Sequence, residues 1–140
     1  NKWDQFSRVI KKNFESLGNR TEMTGFINSK DLNDVMSKTS IIVIPSKWNE
    51  PFGLVAAEAM SNGVAIISSN SGGLPEIISD NGILISNINS KKIARELKKI
   101  ISDTSLLREL QKKSWKNFSF DAKKSSSKLD THRQELFLKN

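Results

Sequence analysis

A chain of 140 residues and 15.7 kDa has the size of one domain, long enough to bury a core and too short for two ordinary ones. With 36% hydrophobic and 26% charged residues, 3 Pro and 7 Gly, it is neither collagen-like nor Pro-rich nor mostly disordered, and zero Cys exclude a disulfide framework, a thiolate metal site and a Cys nucleophile. The net charge of +7 is concentrated, since residues 1–90 carry 8 Lys/Arg against 9 Asp/Glu while residues 91–140 carry 14 against 6. No apolar run approaches the roughly 18–20 residues of a bilayer span, and the opening NKWDQFSRVIKK lacks a signal-peptide core. A soluble, cytoplasmic protein is expected. The basic C-terminal third reads as the solvated face of amphipathic helices, with an anionic partner as the alternative. Because it begins at Asn1 instead of Met, the chain is expected to be a piece of a longer protein.

In chain order, Trp3, Phe6, Ile10, Phe14 and Leu17 recur at the helical period and stop at Gly18, predicting a first helix. The weak alternation of Thr21 to Ile27 predicts a short strand. Leu32, Val35 and Met36 then share a face of a helix over 31–38, with Asp31 available as its cap. IIVI at 41–44, closed by a Pro-Ser turn, predicts a strand buried on both faces, as in a parallel sheet. A helix from Phe52 to Met60 ends at Asn62-Gly63, and two further aliphatic runs, VAII at 64–67 and ILI at 83–85, predict more strands. Two helices follow. Ser90 to Ser102 turns Ile93, Leu97, Ile100 and Ile101 inward, and Thr104 to Asn117 carries Leu106, Leu107 and Leu110. From Asp121 a Lys/Ser-rich tail is left, in which Leu129, Leu136 and Phe137 offer a docking stripe. Strands alternating with helices imply right-handed crossovers and an α/β, Rossmann-like, doubly wound parallel sheet, followed by C-terminal helices.

In such sheets ligands bind beyond the carboxyl ends of the strands. SKWNEPFGLVAAEAM follows the first aliphatic strand, placing Glu50 before a helix start and Glu58 about two turns on; SSNSGGLPE follows the second and opens another helix near Pro75. Two helix N-termini therefore face one crevice, each with unpaired N–H groups and a positive dipole end suited to phosphate.

The segment PSKWNEPFGLVAAEAMSNGVAIISSNSGGLPEIISDNGILI resembles the donor-binding half of retaining glycosyltransferases of the GT-B fold, glycosyltransferase family 4 or group 1. That family includes bacterial lipopolysaccharide and mannosyl transferases and sucrose synthases. Its hallmark, two Glu separated by seven residues, is matched by Glu50 and Glu58 in EPFGLVAAE, and the Gly-Gly-x-Pro-Glu turn and Asn-Gly-x-Leu ending match as well. The resemblance extends more loosely from the first helix to about Asn117.

It implies a nucleotide-sugar-binding Rossmann-like domain over 1–117 and a basic C-terminal helix or tail over 118–140. The implied reaction is transfer of a sugar from a nucleoside diphosphate sugar to an acceptor hydroxyl with retention, in polysaccharide or lipopolysaccharide synthesis. In it Glu58 grips the ribose hydroxyls, the natural task of a carboxylate before a vicinal diol. Glu50 stands at the donor sugar as the catalytic carboxylate. Backbone amides of Phe52, Gly53, Leu54 and Val55 meet sugar hydroxyls and diphosphate, and 25–27 lies near the base. No metal, cofactor or nucleic acid is implied. The family's Arg and Lys on the diphosphate, and its acceptor domain for a sugar or glycolipid, would lie upstream of Asn1. The 140-residue chain is therefore expected to be inactive by itself, with peripheral association at the inner face of the cell membrane belonging to the full-length protein.

Plainer readings stand beside these. Gly72 and Gly73 serve either a tight turn or close approach of a ligand. Glu76 complements a helix dipole, His132 is a solvated surface residue, and Trp48 is packing. Alternatives for the whole are another GT-B enzyme such as a nucleotide-sugar epimerase, or a basic nucleic-acid-binding module built on the C-terminal third.

Overall fold

Three aliphatic runs pair into a parallel sheet in the order β1 (Ile41–Ile44), β2 (Ala65–Ser69), β3 (Ile83–Ile85). The register sets Ile41 beside Ala65 and Ile44 beside Ser68, then Ile67 beside Ile83 and Ser69 beside Ile85, so all three strands end at one edge. The computed structural model describes residues 2–119 together with Ser126, Ser127, Asp130, Thr131 and Gln134. The expectations for Leu129, Leu136, Phe137 and His132 lie outside the described residues. The chain forms two compact units, Asn1–Leu32 and Asn33–Asn140.

In the first unit, α1 (Lys2–Glu15) ends shortly before Gly18, which has a positive φ of 59° and opens a single 3-10 turn, Gly18–Arg20. Thr21 ties this turn back by donating its hydroxyl to the carbonyl of Phe14 at 3.1 Å. The strand expected over 21–27 is absent. That segment is irregular, with Phe26 96% and Met23 58% exposed, because its weak alternation has neither a ladder partner nor a face to bury.

Helix α2 (Ser29–Ser37) is capped by Asn28, not Asp31: the Asn28 Oδ1 accepts the N–H groups of Lys30 and Asp31, each at 3.0 Å, while its Nδ2 donates to the Asp31 carboxylate at 2.6 Å.

In the second unit β2 is central and buried at all five positions, whereas β1, expected to be buried on both faces, is half-buried over Ile41–Val43 because it lies at the edge of this sheet. One face carries Ala65, Ile67 and Ile85 against Ile100 and Leu110, from α5 (Ser90–Ser102) and α6 (Thr104–Lys116). On the opposite face Ile66 lies beside Ile78 of α4 (Leu74–Ile78), near Gly82. The helix α3 (Leu54–Ser61) buries Ala56, Ala57 and Ala59, small side chains that let it lie close to the strands, together with the larger Met60.

Side chains fix the helical layer at its ends. Asn89 caps α5 through the Lys92 N–H, and Asp103 accepts from both Ser105 and Leu106 to cap α6. Ile101, expected inward, is 66% exposed, since its neighbour Ile100 already occupies the inward direction on the helix. Ser114 and Asn117 anchor the end of α6 on buried Asn81, through the Asn81 carbonyl at 3.3 Å and its Oδ1 at 2.6 Å.

Candidate functional site

After β1 the chain crosses the carboxyl edge of the sheet and enters α3 through Glu50-Pro51-Phe52-Gly53. These four residues, with Leu54, Val55, Ile44, Ser46 and Leu74, line a cavity of about 390 Å³, within the size range of small-molecule sites. The amino end of α3 forms one wall because Gly53 precedes it in the left-handed region, at φ 95° and ψ 50°. Its carbonyl accepts from Ala56 and Ala57, closing the first turn. No side chain caps this helix, so the Leu54 and Val55 amides are left for water or for an anion. A Cβ at position 53 would also stand 2.8 Å from Leu74 Cδ2, across the cavity floor.

Five of the six sequence-predicted site residues, Glu50, Phe52, Gly53, Leu54 and Val55, thus surround one cavity. Glu58 does not line it. It lies one turn further along α3, four positions after Leu54 and three after Val55, which places it half-buried on the same helix face. Among the described residues its carboxylate takes no hydrogen bond or ion pair; its carbonyl accepts from Ser61 and Asn62. The Glu50 carboxylate is half-buried and accepts the Ser46 hydroxyl at 2.8 Å. Phe52, Leu54 and Val55 are 44%, 67% and 47% exposed, an apolar rim open to solvent beside two carboxylates.

Ser46 is a residue that sequence reasoning passed over as half of a Pro-Ser turn. It also borders a second, polar cavity of about 230 Å³, walled by Lys47, Ser69, Asn70, Ser71 and Asn87 at the ends of all three strands. Ser69 there is 3% exposed, and its Oγ has no hydrogen-bond partner among the described residues. Gly72 and Gly73 line neither cavity; they pack on the backbone at Glu50. Trp48, expected to pack, is 59% exposed, and its carbonyl accepts the Ser71 hydroxyl at 2.9 Å. Glu76 stands in the first turn of α4 as expected. Among the described residues, no group of three or more His, Cys, Asp or Glu is placed to hold a metal, and no helix is long and apolar enough to cross a membrane.

A family profile described as Glycosyl transferases group 1 matches residues 4–117. An uncharacterized glycosyltransferase of Methanocaldococcus jannaschii is 41% identical over 81 residues, covering 56% of this chain and 20% of that protein. The D-inositol 3-phosphate glycosyltransferase of Streptomyces bingchenggensis is 42% identical over 82 residues, covering 57% of this chain and 18% of that protein. In structure, the Anabaena protein HepE, solved in complex with UDP and glucose, superposes with a TM-score of 0.82 at 22% identity, covering 94% of this chain and 37% of that one. The matched segment is therefore about a fifth of the length of these curated relatives. The fold is the Rossmann-like α/β arrangement found in C-terminal domains of GT-B proteins. With the match spanning most of its length, the chain belongs to the glycosyl transferases group 1 family.

Proposed function

We propose that this chain is the donor-binding half of a retaining GT-B glycosyltransferase and that the cavity at the amino end of α3 holds a nucleoside diphosphate sugar. The observation that carries it is the convergence of Glu50 and the residues from Phe52 to Val55 on one cavity, with the unpartnered Glu58 one turn along the same helix face. The uncapped first turn of α3 suits a diphosphate, because several N–H groups and the dipole end act together there. Glu58 takes the ribose diol. Glu50 faces the sugar, holding its hydroxyls and steadying positive charge at the anomeric carbon as the bond to phosphate breaks. The apolar rim excludes water on one side of the ligand. HepE, solved with UDP and glucose, makes UDP-glucose a suitable first probe.

In the same proposal the sugar passes to an acceptor hydroxyl of a sugar or glycolipid, with retention, in polysaccharide or lipopolysaccharide synthesis at the cytoplasmic face of the membrane. The 140-residue chain transfers no sugar by itself.

Isothermal titration of the chain with UDP and with UDP-glucose tests the site. Glu58→Ala is expected to weaken both ligands by about 1.5–3 kcal/mol, roughly 10–150-fold, the value of hydrogen bonds to a charged group. Glu50→Gln is expected to weaken UDP-glucose alone. Equal affinity of both variants and the unaltered chain for both ligands would refute the assignment.

A further inference from the structure

The loop from β2 to α4 presses its main chain onto the main chain that carries Glu50. The Gly73 N–H donates to the Glu50 carbonyl at 2.7 Å. Gly72 has φ +57°, and a Cβ built there would collide with the Glu50 nitrogen and carbonyl oxygen and stand 2.8 Å from the Asn49 carbonyl carbon. A Cβ on Gly73 would stand 2.8 Å from the Pro51 carbonyl oxygen and 3.0 Å from that of Phe52. All of these neighbours are backbone atoms, which cannot rotate aside as the end of a side chain can. Ser71 adds its hydroxyl to the Trp48 carbonyl at 2.9 Å and to Asn49 Oδ1 at 3.2 Å. From the other side, Ser46 holds the Glu50 carboxylate itself.

We infer that Gly72 is a positioning residue: the absence of a side chain there sets where Glu50 stands at the cavity. The inference concerns the placement of Glu50 and rests on the proposed function only for its ligand measurements. A turn-only role for Gly72 is distinguishable, because Gly18 has nearly the same φ, +59°, with nothing within 4 Å of a Cβ built on it. If φ alone mattered, alanine at either position would act alike.

The test compares Gly72→Ala, Gly18→Ala and the unaltered chain. Without ligand, Gly72→Ala is expected to speed hydrogen exchange at the Gly73 amide by about tenfold and to move the amide resonances of Glu50, Phe52 and Gly53, leaving those of Ile67 and Ile100 in place. Gly18→Ala should change neither. With ligand, Gly72→Ala should weaken UDP-glucose by about tenfold and UDP by less than about twofold, since the displaced group is the one at the sugar. Unmoved Glu50 and Gly73 signals, or equal loss for the two ligands, would overturn the inference. If the unaltered chain binds neither ligand, the donor-site proposal fails, while the exchange and resonance data still decide the placement of Glu50. Should Gly72→Ala not fold, Ser71→Ala removes the two hydroxyl bonds without adding a Cβ. It should shift the Asn49 and Glu50 resonances and lower UDP-glucose affinity preferentially, and no change in either would count against the inference.

Discussion

The α5–α6 layer and the loops around α3 are built by different means. In the helical layer, side chains do the holding: Ile100 and Leu110 are buried against Ala65, Ile67 and Ile85, and Asn89 and Asp103 cap the two helices. Around α3, main chain rests on main chain. Gly73 donates to Glu50, the Glu50 main chain fills the space a side chain on Gly72 would need, no side chain caps the helix, and Phe52, Leu54 and Val55 remain 44–67% exposed. Side-chain packing supplies stability, and it tolerates small readjustments. Backbone packing adds little apolar burial but holds the main chain that carries Glu50, and it leaves apolar surface in solvent beside the cavity.

The largest effect expected from this contrast is at Ile100. Ile100→Ala should cost about 2–5 kcal/mol in denaturant unfolding and leave the affinity for UDP-glucose of the folded fraction unchanged. Next is Asp103→Ala, which removes the acceptor for two α6 amides and should cost about 1 kcal/mol of stability, again without effect on ligand affinity. Ser46→Ala reverses the pattern. Losing the hydroxyl that orients Glu50 should weaken UDP-glucose by about 0.5–1.5 kcal/mol, measured by calorimetry, with a smaller change in stability. Leu54→Ala, on the exposed rim, should shift stability by no more than about 0.5 kcal/mol. The smallest effect belongs to the surface pair on α6. The Glu109 carboxylate, by hydrogen bond and charge, holds Lys113 above its ordinary 10.5. A lysine raised in the fold stabilises fully below its unfolded value and loses that contribution as the pH rises through its folded value. Glu109→Gln should therefore melt marginally below the unaltered chain near neutrality and together with it at strongly alkaline pH.

The strands were legible because runs of three or four consecutive aliphatics bounded by turns admit few other structures, while Glu50 and Glu58 became candidates only through the family resemblance that their spacing and flanking turns carry. Thr21–Ile27 misled because weak alternation predicts a strand only where another strand accepts it, and partners are not written locally. Ile100 and Ile101 look alike in sequence; only the direction of the helix against the sheet separates a buried from a 66% exposed isoleucine. The cap at Asn28 was hidden behind Asp31, an equally good capping residue three positions later. Gly72 and Gly73 are unmistakable as glycines, yet their contact is with backbone some twenty residues away, which no local pattern encodes. Ser46 and Ser69 belong to the same class, ordinary serines given meaning by the sheet edge they share.

The most direct measurement is a titration of the ¹⁵N-labelled chain with UDP-glucose, following every amide. A donor bound at the start of α3 predicts saturable shifts concentrated on Glu50, Phe52, Gly53, Leu54, Val55 and Glu58. Shifts confined to the basic helices α5 and α6, or none at all, would contradict it.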